Sequence, residues 1–189
     1  DGNVTAINFN DNTPDEKACV TLKNKFKKID IAMLNYNAAG PYPSCFDNLS
    51  TDEKKEENDQ IIKRNFDYLC KVIPLLEPKT VLPFAEAYII GGKNYFKNEY
   101  LGTTTWDECA DYLKKNLNSK TNVICLRENQ TFDISNQVSL ENYERIDLSD
   151  MKKYIQIIKN HKYDYEYDEM PDIKKLKDDI ILSKEKLLE

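Results

Sequence analysis

The order of apolar and polar residues predicts strands alternating with helices from the start of the chain. Residues 4–9 alternate with the two-residue period of a strand. Thr13 and Glu16 have the spacing of a capping box, so we expect a helix from there to about Lys27. A near-continuous apolar run at 29–36 then predicts a strand covered on both faces, which makes a parallel β-α-β unit.

Further signals continue this alternation. Ser50 and Glu53 have the capping-box spacing ahead of a long amphipathic helix, and Thr105 and Glu108 have it ahead of another. We expect strands at 80–82, 122–126 and 131–134, and amphipathic helices beginning near Ser149 and Pro171. The pattern therefore predicts an α/β fold of repeated β-α units followed by C-terminal helices.

Composition favours one globular domain. A length of 189 residues is enough for a sizeable core, and 40% of the residues are apolar. No apolar stretch approaches the roughly 18 to 20 residues that span a bilayer, and the first residues lack a signal-peptide pattern. We therefore expect a cytoplasmic protein with no membrane partner.

Charge, cysteine and histidine content exclude further classes. The net charge of −6 argues against a nucleic-acid partner, because a duplex-binding surface needs clustered Lys and Arg. The five cysteines lack the close pairs of zinc or redox sites, and Cys45 has no basic residue near it in sequence, so we assign it no catalytic role. His161 is the only histidine, so the chain alone does not supply a histidine-rich metal site.

Three segments follow predicted parallel strands, where ligands bind because loops and helix N-termini converge there. The first holds Asp11, a candidate metal ligand or general base, although an Asp between a strand and a helix is more often a turn or cap residue. The second offers Tyr36 and Tyr42 as aromatic platforms, and it is equally consistent with a rigid surface turn. The candidate substrate-binding residues of the second and third segments are Asn37, Gly40, Tyr42, Glu86 and Tyr88.

Four short segments together resemble the later half of metallo-β-lactamase-fold proteins. They are Asn8-Phe9-Asn10-Asp11, residues 30–42, Val81-Leu82-Pro83-Phe84-Ala85 and Gln130-Thr131-Phe132-Asp133-Ile134. Their order is most similar to the nucleotide-sugar hydroxylase branch, which includes the CMP-N-acetylneuraminate hydroxylase. The resemblance implies a partial lactamase-like α/β domain at 1–135, one half of an αββα sandwich. It does not extend to residues 136–189, which we expect to form a helical extension packed on that domain.

The function implied by the resemblance is that of a metalloenzyme acting on a nucleotide sugar or a similar anionic metabolite. The resemblance also aligns Asp11 with a metal-ligand aspartate of the fold. It implies that the full-length protein binds Zn or Fe and that this chain alone binds neither. The histidine motif of the fold's first half is absent, and Phe84 and Ala85 occupy the place of its final histidine. We therefore expect the later half of the sandwich, inactive by itself.

Half of a sandwich leaves an apolar sheet face to be covered by the missing half, a second chain or the C-terminal helices.

Two other interpretations stay open. One is a non-catalytic α/β binding or protein-interaction module that contacts its partner through the acidic, tyrosine-rich C-terminal region. The other is a complete flavodoxin-like domain, although residues 10–14 lack the glycine or hydroxyl cluster of a phosphate loop.

Overall fold

A four-stranded parallel sheet forms the centre of the fold in the computed structural model, which describes residues 3–85 and 87–188. Its order confirms the predicted α/β class, because each strand pairs in parallel with the next one along the chain. The first strand therefore lies at an edge, whereas a flavodoxin-like sheet has it inside, so that interpretation is wrong. The strands are β1 (Ala6–Asn8), β2 (Ile29–Leu34), β3 (Pro78–Pro83) and β4 (Asn122–Val123).

Helices fill the connections and the C-terminal region. The connecting elements are α1 (Glu16–Lys25), α2 (Thr51–Leu76), a 3-10 helix (Gly92–Tyr100) and α3 (Trp106–Asn116). After β4 come a hairpin of β5 (Phe132–Asp133) and β6 (Val138–Ser139), then α4 (Leu148–Ile158), a short 3-10 turn (Asp164–Glu166) and α5 (Ile173–Leu188).

The helix caps agree with the sequence in two of three cases. The capping boxes predicted at Ser50 and Thr105 are both present. The predicted cap at Thr13 is wrong, because the side chain of Asp15 accepts the hydrogen bond that begins α1. The Thr13 hydroxyl instead accepts a hydrogen bond of 2.8 Å from the side chain of Asn35, which joins the loop after β1 to the end of β2.

The crossover helices form one layer on one face of the sheet. Right-handed connections between neighbouring parallel strands place each helix on the same face, and α2 packs against both α1 and α3. This layer and the sheet enclose the main hydrophobic core. Its fully buried members include Ala32, Leu34 and Val81 from the strands and Cys19, Leu69, Ile73, Cys109 and Leu113 from the helices.

The opposite face of the sheet is covered only in part. Strand alternation and pairing register place Ile31, Met33, Thr80 and Leu82 on this face. Ile31 and Thr80 are buried, whereas Met33 and Leu82 are half-buried. The Thr80 hydroxyl donates a hydrogen bond to the side chain of Gln137, so the turn between β5 and β6 covers the middle of this face.

The two C-terminal helices differ in how far they are buried. The helix α4 packs against the 3-10 helix. The apolar side chains of α5 are largely exposed, with exposed fractions of 50% for Ile173, 45% for Leu176 and 61% for Ile180. Within residues 3–85 and 87–188, no helix has both the length and the apolar character to cross a membrane.

Candidate functional site

A cavity of about 680 Å³ lies beyond the carboxyl ends of β2 and β3, beside the N-terminus of α3. This volume falls within the range of about 300 to 1,000 Å³ that is usual for small-molecule sites. We call it the strand-end cavity. Its lining includes Tyr36, Tyr88, Asn98, Thr103, Thr104, Thr105, Trp106, Glu108, Met151, Lys152 and Ile158.

Asn37 fixes one wall of the cavity. Its buried side chain accepts a 2.9 Å hydrogen bond from the backbone N–H of Thr104 and donates a 3.0 Å hydrogen bond to the Thr104 carbonyl. The amide thereby acts like a short piece of strand, because it satisfies both backbone groups of the residue that it contacts. This contact ties the end of β2 to the loop that begins α3.

Glu108 occupies the N-terminus of α3. Its carboxylate accepts hydrogen bonds from the backbone N–H of Thr105 at 3.2 Å, from the Thr105 hydroxyl at 3.0 Å and from the Thr104 hydroxyl. A carboxylate here already compensates the positive end of the helix dipole. The helix terminus therefore contributes little attraction for an anionic ligand, and Lys152 on α4 is the cation that lines the cavity.

Asn98 holds the segment that follows β3. Its side chain accepts a 2.9 Å hydrogen bond from the Ile90 N–H and donates one of 2.8 Å to the Ile90 carbonyl. Ala85, at the start of this segment, has φ of 68°, a left-handed conformation that costs energy for a residue with a Cβ. The chain is thus held in a specific path from β3 past the cavity to the 3-10 helix.

Asp107 anchors the beginning of α4, which forms the outer wall. Its buried carboxylate accepts hydrogen bonds from the Tyr143 hydroxyl at 2.9 Å and from the Ile146 N–H at 2.8 Å. The Tyr143 hydroxyl also accepts a hydrogen bond from the indole N–H of Trp106. This network joins the first turn of α3 to the segment that enters α4.

Two glycines anchor the end of α4. A Cβ on Gly91 would lie 3.2 Å from the carbonyl oxygen of Ile158, and one on Gly92 would lie 2.8 Å from that of His161. Gly92 also has φ of 62°, which glycine adopts without strain. At Gly92 the backbone therefore approaches the segment that ends α4 more closely than a Cβ would permit, and at Gly91 a Cβ would force its neighbour to shift.

The lining of the cavity suits binding better than catalysis. Trp106 and Tyr88 offer aromatic rings, the run from Thr103 to Thr105 offers hydroxyl and backbone groups, and Glu108 and Lys152 are the charged residues. Among the described lining residues there is no histidine, no cysteine and no second carboxylate. The described lining thus lacks a histidine base, a cysteine nucleophile and a carboxylate pair, three common catalytic groups.

Tyr36 is a wall of the cavity and not a stacking platform. Only 1% of its surface is exposed, and its hydroxyl has no hydrogen-bond partner among the described residues. Burial raises the pKa of Tyr36, the nearby Cys109 thiol adds to the rise, and the Asn37 amide, close but outside hydrogen-bonding geometry, lowers it. The phenol therefore stays protonated.

The structure separates the residues that were predicted to bind substrate. Tyr88 lines the strand-end cavity, and Asn37 reaches it only through Thr104. Gly40 lies in open space, because no heavy atom of the described residues lies within 4 Å of the place where its Cβ would be. Tyr42 is 38% exposed and packs edge-on against Phe46, and Glu86 lies outside the described residues.

Asp11 lies in an exposed turn directly after β1, at the same edge of the sheet as the ends of β2 and β3. Residues 3–85 and 87–188 contain no group of three His, Cys, Asp or Glu side chains that would hold a metal ion. One exposed carboxylate does not meet the four-ligand requirement of a zinc site or the ligand set of an iron site. The residues described here therefore do not by themselves fit the implied Zn or Fe.

The segments that line the cavity were found in part from sequence. Tyr88 and the Thr105 cap were identified from their positions after a strand and before a helix. Trp106, Met151 and Lys152 were missed as site residues, because only the fold brings α4 to the start of α3. An apolar stripe on a helix predicts that the helix packs, but it does not predict which surface it covers.

Comparison of the chain with family models, with curated proteins and with solved structures finds no match to any of them.

Proposed function

We propose that this chain is the later half of a metallo-β-lactamase-fold enzyme acting on a nucleotide sugar or a similar anionic metabolite, and that the strand-end cavity binds part of that substrate. The observation that carries the proposal is the single helix layer, because it leaves Met33 and Leu82 half-buried on the other sheet face. One α layer on one β layer is the composition of half an αββα sandwich. A β/α barrel wall has the same strand order, and the sequence resemblance favours the sandwich.

The chemistry of the cavity supports a nucleotide-like ligand. Trp106 and Tyr88 provide faces against which a base can stack, and Thr103 and Thr104 provide partners for sugar hydroxyls. Lys152 is placed to pair with a phosphate or carboxylate, because its side chain is exposed on the cavity side of α4. Under this proposal, Asp11 supplies one carboxylate to a metal site whose other ligands lie outside this chain's described residues.

Fluorescence of the single tryptophan tests the binding part of the proposal. Trp106 is the only tryptophan in the sequence and lines the cavity, so its emission reports directly on occupancy. Titration of the chain with cytidine monophosphate is expected to give a saturable change. Lys152→Met should weaken the apparent affinity by about threefold to fivefold, the effect of losing one exposed charge pair.

Lys153→Met is the matched control. Lys153 is the next residue of α4, but its ammonium group pairs with Asp150 at 2.7 Å and it does not line the cavity. The affinity of the Lys153→Met variant for cytidine monophosphate should equal that of the unmodified chain. Unchanged Trp106 emission with cytidine, uridine and adenosine monophosphates, or equal weakening by both substitutions, would contradict the proposal.

An interaction module is the second candidate, and the exposed apolar side chains of α5 favour it. Ile173, Leu176 and Ile180 follow a three-and-four spacing and are each 45% exposed or more. If this stripe pairs with a second copy, the chain should sediment above its monomer mass of 22.1 kDa, and removal of residues 160–189 should return it to a monomer. A full-length chain that is monomeric at all concentrations rules this pairing out.

A further inference from the structure

Cys45 and Lys97 form a thiol–ammonium pair that no sequence pattern indicates. The Lys97 Nζ lies 3.5 Å from the Cys45 Sγ, and the two residues are 52 positions apart. The Ser44 hydroxyl lies 3.7 Å from the same sulfur. The expectation that Cys45 has no basic neighbour is therefore wrong, because the 3-10 helix brings Lys97 to the loop after β2.

The surroundings of Cys45 differ from those of the other cysteines. Cys45 is exposed, whereas Cys19, Cys109 and Cys125 are buried and Cys70 is partly buried. The Ser44 hydroxyl has the largest effect and lowers the pKa of Cys45. Burial opposes it, Lys97 lowers the pKa further, and Asp47 raises it slightly. Burial raises the pKa of Cys70, and it raises the pKa of Cys19 and of Cys125 to about 11.

The pair lies near the strand-end cavity. Tyr88, which lines the cavity, has its pKa raised by burial and then by the nearby Cys45 thiolate. Among the described residues, Lys97 from the 3-10 helix and Asp47 from the loop of Cys45 itself are the charged groups that act on the pKa of Cys45, and Tyr88 from the segment after β3 is affected by Cys45 in turn. One cation lies within contact distance of an exposed sulfur, which is the environment of a reactive thiol.

The geometry points to Cys45 as a covalent modification site for small anionic disulfides, with Lys97 as the positioning residue. The Cys45 thiolate attacks one sulfur of the disulfide, a new S–S bond forms to Cys45, and the original S–S bond breaks. Cys45 is oxidised and the departing sulfur is reduced to a thiolate, which takes a proton from solvent. Lys97 attracts the anionic reagent and stabilises the attacking thiolate.

Peptide mass spectrometry after timed exposure to two disulfides tests this inference. Glutathione disulfide is anionic and cystamine is cationic, so their ratio of rates reports the charge that the sulfur experiences. At neutral pH, Cys45 should react about tenfold faster than Cys70. The ratio of its rate with glutathione disulfide to its rate with cystamine should exceed the same ratio for a free thiol. Lys97→Met should slow the reaction with glutathione disulfide about threefold or more and remove the preference.

Two further variants separate the contact from general charge. Lys97→Arg keeps a cation at the position and should keep the preference, whereas Lys93→Met removes a positive charge from the same 3-10 helix and should change neither rate by more than about twofold. Circular dichroism of each variant verifies that the fold is retained. The inference is overturned if Cys45 reacts no faster than Cys70, or if Lys97→Met and Lys93→Met behave alike.

Discussion

At the residue scale, two buried polar side chains hold the two ends of β2. Asp30 lies at its start and accepts a 3.1 Å hydrogen bond from the Thr5 N–H, with ammonium groups of Lys28 at 2.9 Å and Lys79 at 3.1 Å. Asn37 lies just after its end and holds Thr104. Both side chains join segments distant in sequence, so each contributes to the shape of the edge that it occupies.

Asn37→Ala should lower the free energy of unfolding by about 2 kcal/mol, because both backbone groups of Thr104 lose their partner. Urea unfolding followed by circular dichroism measures this. Asn116→Ala is the matched control, since its exposed amide makes one hydrogen bond to the Tyr112 carbonyl, and its effect should stay within about 0.5 kcal/mol. Equal stabilities of the two variants would show that the Asn37 contact does not hold the loop.

Asp30 should make the stability depend on pH in the acid range. Burial opposes its ionisation, but the contacts from Lys28, Thr5 and Lys79 outweigh this and lower its pKa from 3.8 to about 2. A carboxyl group with a lowered folded pKa stabilises the fold fully above its unfolded pKa, and this contribution disappears as the pH falls through the folded pKa. The loss is therefore expected between about pH 4 and about pH 2.

Urea unfolding across this pH range tests the role of Asp30. Asp30→Asn should lower the stability near neutral pH by about 1 to 2 kcal/mol and should flatten the fall between about pH 4 and about pH 2. Asp59→Asn, which changes an exposed carboxyl on α2, should leave the acid profile as it is. Identical profiles for Asp30→Asn and the unmodified chain would mean that the ion pairs do not stabilise the fold.

At this scale the sequence indicates which residues follow a strand, but it does not indicate which distant residues they contact. Asn37 was chosen because it follows a strand, and its role in binding substrate stays a prediction. Its contact with Thr104 spans 67 positions, and the contact of Cys45 with Lys97 spans 52. No local sequence pattern marks either contact, because such pairs arise only when crossover helices bring distant loops to one edge of a sheet.

At the element scale, the position of α4 determines whether the cavity has an outer wall. Asp107 fixes its start, and the close approach of Gly91 and Gly92 fixes its end. The amphipathic pattern of α4 predicted a helix from Ser149, and the structure has it at Leu148–Ile158. The surface that α4 covers was not predictable, since it depends on the path of the segment after β3.

Gly92→Ala should loosen the end of α4. The added methyl group would meet the His161 carbonyl at 2.8 Å, and the backbone at φ of 62° disfavours any Cβ, so a loss of about 1 to 2 kcal/mol is expected. Hydrogen exchange should become faster in residues 148–158. Gly40→Ala, which places its methyl group in open space, should change neither quantity, and similar exchange in both variants would contradict the role assigned to Gly92.

At the scale of the whole molecule, the strand order and the single helix layer are the features that support the proposed half-sandwich. The α/β class and the β-α units were predictable, because capping boxes and apolar runs are local signals. The partial cover of the second sheet face by the turn at Gln137 was not, because the hairpin carries only a short, weak pattern. Under the proposed half-sandwich, this is the face on which the other half would pack.

The most direct test of the proposed enzyme is the Zn and Fe content of the longest polypeptide that the gene encodes. Elemental analysis should find bound metal in the unmodified protein, little or none in Asp11→Ala, and the full amount in Asp59→Ala, which removes an exposed carboxyl from α2. Such a result would assign Asp11 as a metal ligand. Equal metal content in Asp11→Ala and the unmodified protein, or no metal in any of them, would contradict the assignment and favour the interaction module.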